Sequence, residues 1–234
     1  MLTRKGSDTA AITISIQSKP IDTLLEKEWL LTNSRGGFAS GTIIGCYTRR
    51  YHGHLIGTQT PPANRIAAFS YCLETIICKG DSISLSNFEF DHALHPTGYR
   101  YLLEFRKDLG IHFEYNLEFA ALTKSIYLLP DSDITAVVYD FSTVCRPFDF
   151  TVRPFAAMRD FHALQHSSAS LHSIWDEHIL GVCGQSPDTG QLSIRCDEMR
   201  FEQNAEWWYH FFYRVERQRG QDCFEDLWSP GIWR

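Results

Sequence analysis

Ile111, Phe113, Tyr115, Leu117 and Phe119 alternate with His112, Glu114, Asn116 and Glu118. A two-residue period puts all five apolar side chains on one face of an extended chain, so the stretch is a strand. Shorter runs of the same kind recur along the sequence. They cover 10–17, with Ile12, Ile14 and Ile16 on one face, then the region near Trp29, 42–46, 54–57, and 65–78, which is apolar enough to be buried on both faces. Further runs fall at Ile83 and Leu85, 101–107, 124–129, 134–142, 148–154, 171–174, 179–183, 192–196 and a last long one at 206–216. Turn chemistry separates them: Pro61-Pro62, Lys79-Gly80-Asp81, Asp108-Leu109-Gly110, Pro130-Asp131-Ser132-Asp133 and Cys145-Arg146-Pro147. Asp22 is placed to cap a short helical turn through Leu24, Leu25 and Glu26. The stretch 87–100 reads as irregular, and 219–231 as a tail. Roughly a dozen short strands with turns about every 8 to 12 residues predict an all-β fold, an antiparallel β-sandwich with long shaped loops and little helix. No repeat or low-complexity linker divides it. The expectation is a loose tail over 1–9 and one domain over 10–234.

A net charge of -6 argues against non-specific binding to nucleic acid or an anionic membrane. No apolar run approaches the roughly 18 to 20 residues of a membrane span, and the first residues lack the apolar core of a secretory signal, so a cytoplasmic location is expected. Seven cysteines without a Cys-x-x-Cys pair argue against structural zinc. Cys46, Cys72, Cys78 and Cys183 read as buried free thiols. The ten histidines complete no metal-ligand pattern, and no cofactor is implied. At 14% aromatic, the chain suits a β-rich core and also sugar stacking.

One segment fits neither helix nor simple strand. Glu28-Trp29-Leu30 leads into Asn33-Ser34-Arg35-Gly36-Gly37-Phe38-Ala39-Ser40-Gly41-Thr42, followed by Thr48-Arg49-Arg50-Tyr51-His52-Gly53. Its glycines permit positive φ or close backbone approach, so it reads as a shaped loop between strands. Gly36-x4-Gly41-Thr42 echoes a phosphate loop but lacks the lysine. Arg49, Arg50, Arg159 and Asp160 sit among aromatics and admit two readings. They form either a buried arginine–carboxylate network or a polar rim that meets sugar or a partner domain. Glycoside hydrolysis usually needs two opposed carboxylates. Glu225 and Asp226 are adjacent and point to opposite strand faces, so they form no such pair. Asp160 with Glu216 or Glu225 stays open.

The 28–53 string resembles the opening of the N-terminal domain of bacterial and archaeal glycogen debranching enzymes, the amylo-α-1,6-glucosidases. The likeness continues in order through Asn64-Arg65, His95-Pro96-x-Gly98, Arg153-Pro154, Arg159-Asp160-x-His162, Glu216-Arg217-x-Arg219-Gly220-x-Asp222 and Glu225-Asp226-Leu227-Trp228-x-Pro230-Gly231. It departs at Ser34-Arg35, Cys46 and His54. The resemblance implies a super-sandwich that packs on an α/α toroid. That toroid carries the catalytic acids for α-1,6-linked glucose, so none is expected here, and the chain alone is expected to be inactive. Implied candidates for the face toward toroid or α-glucan (glycogen, limit dextrin) are Arg49, Arg50, Tyr51, His52, Arg159, Asp160, His162, Glu225, Asp226 and Trp228. Two alternatives stand beside this reading. One is a stand-alone glucan-binding module using Trp207, Trp208 or Trp228. The other is a scaffold for a separately encoded catalytic chain. A domain parted from its toroid would bare an apolar face, so a homodimer is also expected.

Overall fold

The alternating stretch is β10 (Ile111–Asn116), the centre of a five-stranded antiparallel sheet. The computed structural model describes residues 11–91, 93–184 and 190–234; the tail expected over 1–9 lies outside the described residues. Around β10 the sheet runs β1 (Ile12–Ser15), β9 (Leu102–Lys107), β10, β11 (Ala121–Leu128) and β12 (Thr135–Ser142). Ile111, Phe113 and Tyr115 are buried together with Phe105, Leu122 and Ile126 from the flanking strands.

Their cover is a second, ten-stranded sheet. It contains β2 (Glu28–Thr32), β3 (Phe38–Thr42), β4 (Gly53–Thr60), β5 (Ala63–Cys78) and, paired to β5, β6 (Asp81–Ser84). It continues through β13 (Asp149–Asp160), β18 (Phe224–Trp233), β17 (Phe201–Phe212), β7 (Asn87–Phe90) and β8 (Ala93–Thr97). A third sheet, β14 (His172–Asp176), β15 (Ile179–Cys183) and β16 (Gln191–Arg195), covers part of the large sheet. The curled sheets form the expected antiparallel, sandwich-like arrangement. Among the described residues, helix is confined to α1 (Ile21–Leu25), α2 (Arg214–Gln218) and a 3-10 turn at Gly98–Tyr101.

β5 shows why the large sheet is dry on both faces. Its Phe69 and Cys72 join a core with Val152, Trp228 and the third sheet's Leu180 and Leu192. Its Tyr71 turns the other way, into an aromatic core with Phe88, Phe155 and Phe211. Tyr71 stacks on Tyr47 at 3.8 Å between ring centres, and Phe88 meets Phe155 edge-on. No helix among the described residues is long and apolar enough to cross a membrane.

Several local expectations are corrected. Residues 38–42 are strand and 43–46 are turn, not the reverse: Thr42 Oγ1 donates to the Cys46 carbonyl and accepts from its N–H, which folds the chain back. The N-cap of α1 is Pro20, with Asp22 inside its first turn. The supposedly irregular 87–100 contains the β7–β8 hairpin and the 3-10 turn. The supposed tail after 219 is β18, a central strand of the large sheet, and β17 begins at Phe201. Cys183 is only partly buried, whereas Cys46, Cys72 and Cys78 are buried as expected.

Candidate functional site

The three arginine-bearing motifs meet at one end of the large sheet. β13 and β18 run antiparallel with Ala156 opposite Trp228. Three residues further along β13 and three residues back along β18, Arg159 therefore faces Glu225. The Arg159 guanidinium grips this carboxylate with both Nε and Nη2, the latter at 3.0 Å. Its remaining N–H groups donate to backbone carbonyls of Arg50 at 2.8 Å and of Asp160 and Phe161 at 3.3 Å. Glu225 also accepts from the Tyr213 hydroxyl and, at 2.9 Å, from the Gln165 N–H. Glu225 is fully buried and Arg159 is 5% exposed, so this is a charge pair out of water with every oxygen engaged. Burial opposes the charge on Arg159, but Glu225 outweighs it and holds the guanidinium above its ordinary range. Burial, reinforced by Glu225, pushes the Tyr213 hydroxyl well up.

Arg50 carries a second, looser pair. Its backbone N–H donates to Glu216 Oε1 at 3.3 Å, and its Nε lies 3.5 Å from Glu216 Oε2. Glu216 is fully buried in α2. The Arg50 fork reaches the His162 carbonyl at 2.7 Å, the Asp222 carbonyl at 2.8 Å and Gln221 Oε1 at 3.2 Å. Arg50 thus ties the loop before β4 to the loop after β13 and to the turn after α2.

Arg49 donates to Glu28 at 2.6 Å, and His52 Nε2 lies 3.4 Å from the same oxygen. The other ring nitrogen of His52 accepts the Thr48 N–H at 3.1 Å, so Nε2 carries the proton toward Glu28. The His52 hydrogen bond, with Arg49 adding to it against partial burial, lowers the Glu28 carboxyl to about 2. Burial lowers His52 itself.

The site therefore divides into an outer and an inner layer. Asp160 and His162 are exposed, and Arg49 and Tyr51 are partly exposed. Asp160 Oδ1 accepts the His162 N–H at 2.8 Å, and the Tyr51 hydroxyl lies 3.2 Å from His162 Nδ1. The Tyr51 and His162 rings flank Phe161, and Arg65 lies over its face at 5.5 Å. Beneath this rim, His52, Arg159 and Glu225 are buried and act as its support. Trp228 is 6% exposed within the core beside the third sheet, so it does not serve the exposed stacking role considered for it. Asp226 points away from Glu225, as strand alternation requires, and accepts N–H groups of Ser167 and His210 at 3.0 and 3.1 Å. Asp160, Glu216 and Glu225 thus engage three different sets of donors.

The glycine-rich opening is braced separately. The Asn33 side chain closes its own turn through the N–H groups of Arg35 and Gly37 and donates to Asp133 at 2.7 Å. Asp133 also accepts from Arg35 and twice from Thr58. A Cβ on Gly37 would lie 2.3 Å from Asp133 Oδ1, and one on Gly41 would lie 2.8 Å from the Tyr47 ring. Both glycines are there for close approach.

A family model described as glycogen debranching enzyme N terminal matches residues 27–234. The chain belongs to this family. The match opens one residue before the Glu28-Trp29-Leu30 string and runs through β18, so it takes in every motif of this site. No curated protein and no solved structure matched the chain. Sequence reasoning missed Gln165 and Tyr213, which sit in no recognisable motif. A tyrosine at the end of an apolar strand, needing a partner for its hydroxyl, was the one available signal for Tyr213.

Proposed function

We propose that this glycogen debranching enzyme N-terminal domain is a non-catalytic support for an amylo-α-1,6-glucosidase. It packs its Arg49–Tyr51–Asp160–His162 rim on an α/α toroid, in the same chain or another, and so helps shape the α-glucan cleft. One observation carries the reading. Glu225, one of the two acids that the sequence left open as a partner for Asp160, is fully buried with both oxygens held by Arg159, Tyr213 and Gln165. A general acid or nucleophile must reach its substrate, and a carboxylate so saturated cannot. The same network holds a shallow polar and aromatic rim in place, which suits a domain contact.

Incubating the purified chain with limit dextrin tests the first half: no glucose above background is expected. Release that Glu225→Gln or Asp160→Asn abolishes would overturn the reading. Titration with the toroid domain of a debranching enzyme tests the second half. Tyr51→Ala and His162→Ala should weaken association while leaving the melting temperature within about 2 °C of wild type.

A further inference from the structure

Between the third sheet and the two larger ones lies a cavity of about 420 Å³. Leu55, Phe69, Val137, Val152, Leu192 and Ile194 are among the apolar residues that line it. It shares no residue with the rim: its β13 residues, Val152 and Pro154, precede Asp160 by six or more positions, about 20 Å along a strand. Ile134 lines it and is 53% exposed, so the cavity opens to solvent there.

We propose that this cavity is a binding site for a small, uncharged, mainly apolar molecule. Its size is that of small-molecule sites, and such sites are mostly apolar with few polar groups. The charged groups on the wall are each paired with an opposite charge. Asp133 accepts from Asn33, Arg35 and Thr58, and Arg195 donates to Asp197 at 2.8 Å. The Tyr139 hydroxyl donates to the buried Glu74 at 2.8 Å, and Thr135 Oγ1 donates to the His54 carbonyl. A charged ligand would meet groups that are already paired, with no net charge to draw it. A glucosyl unit would strand several hydroxyls at roughly 1–3 kcal/mol each. Trp233 is 3% exposed, and its indole Nε1–H is buried with no hydrogen-bond partner among the described residues. That N–H has no surface toward the cavity, so Trp233 offers a ligand its ring and not its donor. The chemistry is thus that of a neutral, ring-bearing apolar molecule, not of the polysaccharide that the family name points to.

The probe is prodan, an uncharged naphthyl ketone whose emission shifts to the blue in apolar surroundings. Titrated with the 234-residue chain, it should bind one-to-one and saturably, with Kd of roughly 0.1 mM. Leu192→Trp and Val137→Trp fill the cavity and should abolish binding while circular dichroism stays native. Prodan should also move the Trp233 indole signal in a 15N-correlated spectrum, a readout that needs no substitution. Maltotetraose should not displace it. The proposal fails if folded wild type shows no saturable binding or if both filled variants bind as wild type does. It also fails if the Trp233 signal stays put or maltotetraose competes.

Discussion

Replacing Glu225 by Gln removes a charge without changing shape, so the outcome depends on what that carboxylate does. It pairs with a guanidinium that is 5% exposed, and it accepts from Tyr213 and Gln165 as well. The amide retains one acceptor oxygen but turns an NH2 toward donors and leaves Arg159 charged and unpaired. Breaking a buried pair from one side costs about 3–5 kcal/mol. For a chain of this size, each kcal/mol lowers the melting temperature by roughly 2–4 °C, so Glu225→Gln should lose about 6 to 20 °C in a calorimetric scan. The neighbouring change, Asp226→Asn, has the same chemistry but, among the described residues, meets two backbone N–H groups at a partly exposed position. It should cost about 1 kcal/mol, or roughly 2–4 °C. Arg159→Met strands the carboxylate and should be about as harmful as Glu225→Gln. Because both single changes break one pair, the double variant should cost roughly 2–3 kcal/mol less than their sum. Equal melting temperatures for Glu225→Gln and Asp226→Asn, or strict additivity in the double variant, would refute the supporting role and return Glu225 to the list of reactive acids.

The remaining predictions concern the groups around this end of the fold. Gly37→Ala forces a methyl group against Asp133 Oδ1 and should cost about 1–3 kcal/mol in urea unfolding; a loss below 0.5 would mean that Asp133 yields freely. His54 is buried, and burial lowers its pKa from 6.5 to about 3. Unfolded His54 therefore binds a proton that folded His54 does not. Its share of stability is complete above pH 6.5 and is lost as pH falls toward 3, with a slope of up to about 1.4 kcal/mol per pH unit. Urea midpoints between pH 6.5 and 5 should show this slope, and His54→Asn should flatten it; an unchanged slope would contradict the burial of a neutral ring. For Glu28, whose pKa is lowered to about 2, the stabilising share is present above the ordinary 4.5 and fades as pH falls toward 2. Glu28→Gln should remove that part of the acid sensitivity, and an identical acid limb in the variant would deny the link to His52 and Arg49.

What the sequence made legible follows from how each strand is wetted. β10 has one dry and one wet face, so its alternation is written in the residues. β18 has no wet face to speak of. Glu225 and Ser229 are fully buried, and Pro230 and Gly231 interrupt any apolar run, so hydropathy marks it as a tail. β3 was hidden for a different reason. Phe38-Ala39-Ser40-Gly41-Thr42 is small because the rings of Tyr47 and Trp29 lie against Gly41, and small residues look like a loop. The site shows the same division. The residue types announced a buried arginine–carboxylate network as one of two readings, but not its partners. Arg159 finds Glu225 because β13 and β18 pair with Ala156 opposite Trp228, and Arg50 finds Glu216 because the Val215 N–H donates to the Thr48 carbonyl at 3.1 Å. Both are facts of register and topology between segments more than 60 residues apart. Once the register is known, the pairing is forced. A one-residue slip of β18 would turn Glu225 out of the pair and bring its neighbours toward Arg159, so the two strands must keep a single alignment for the rim above them to keep its shape.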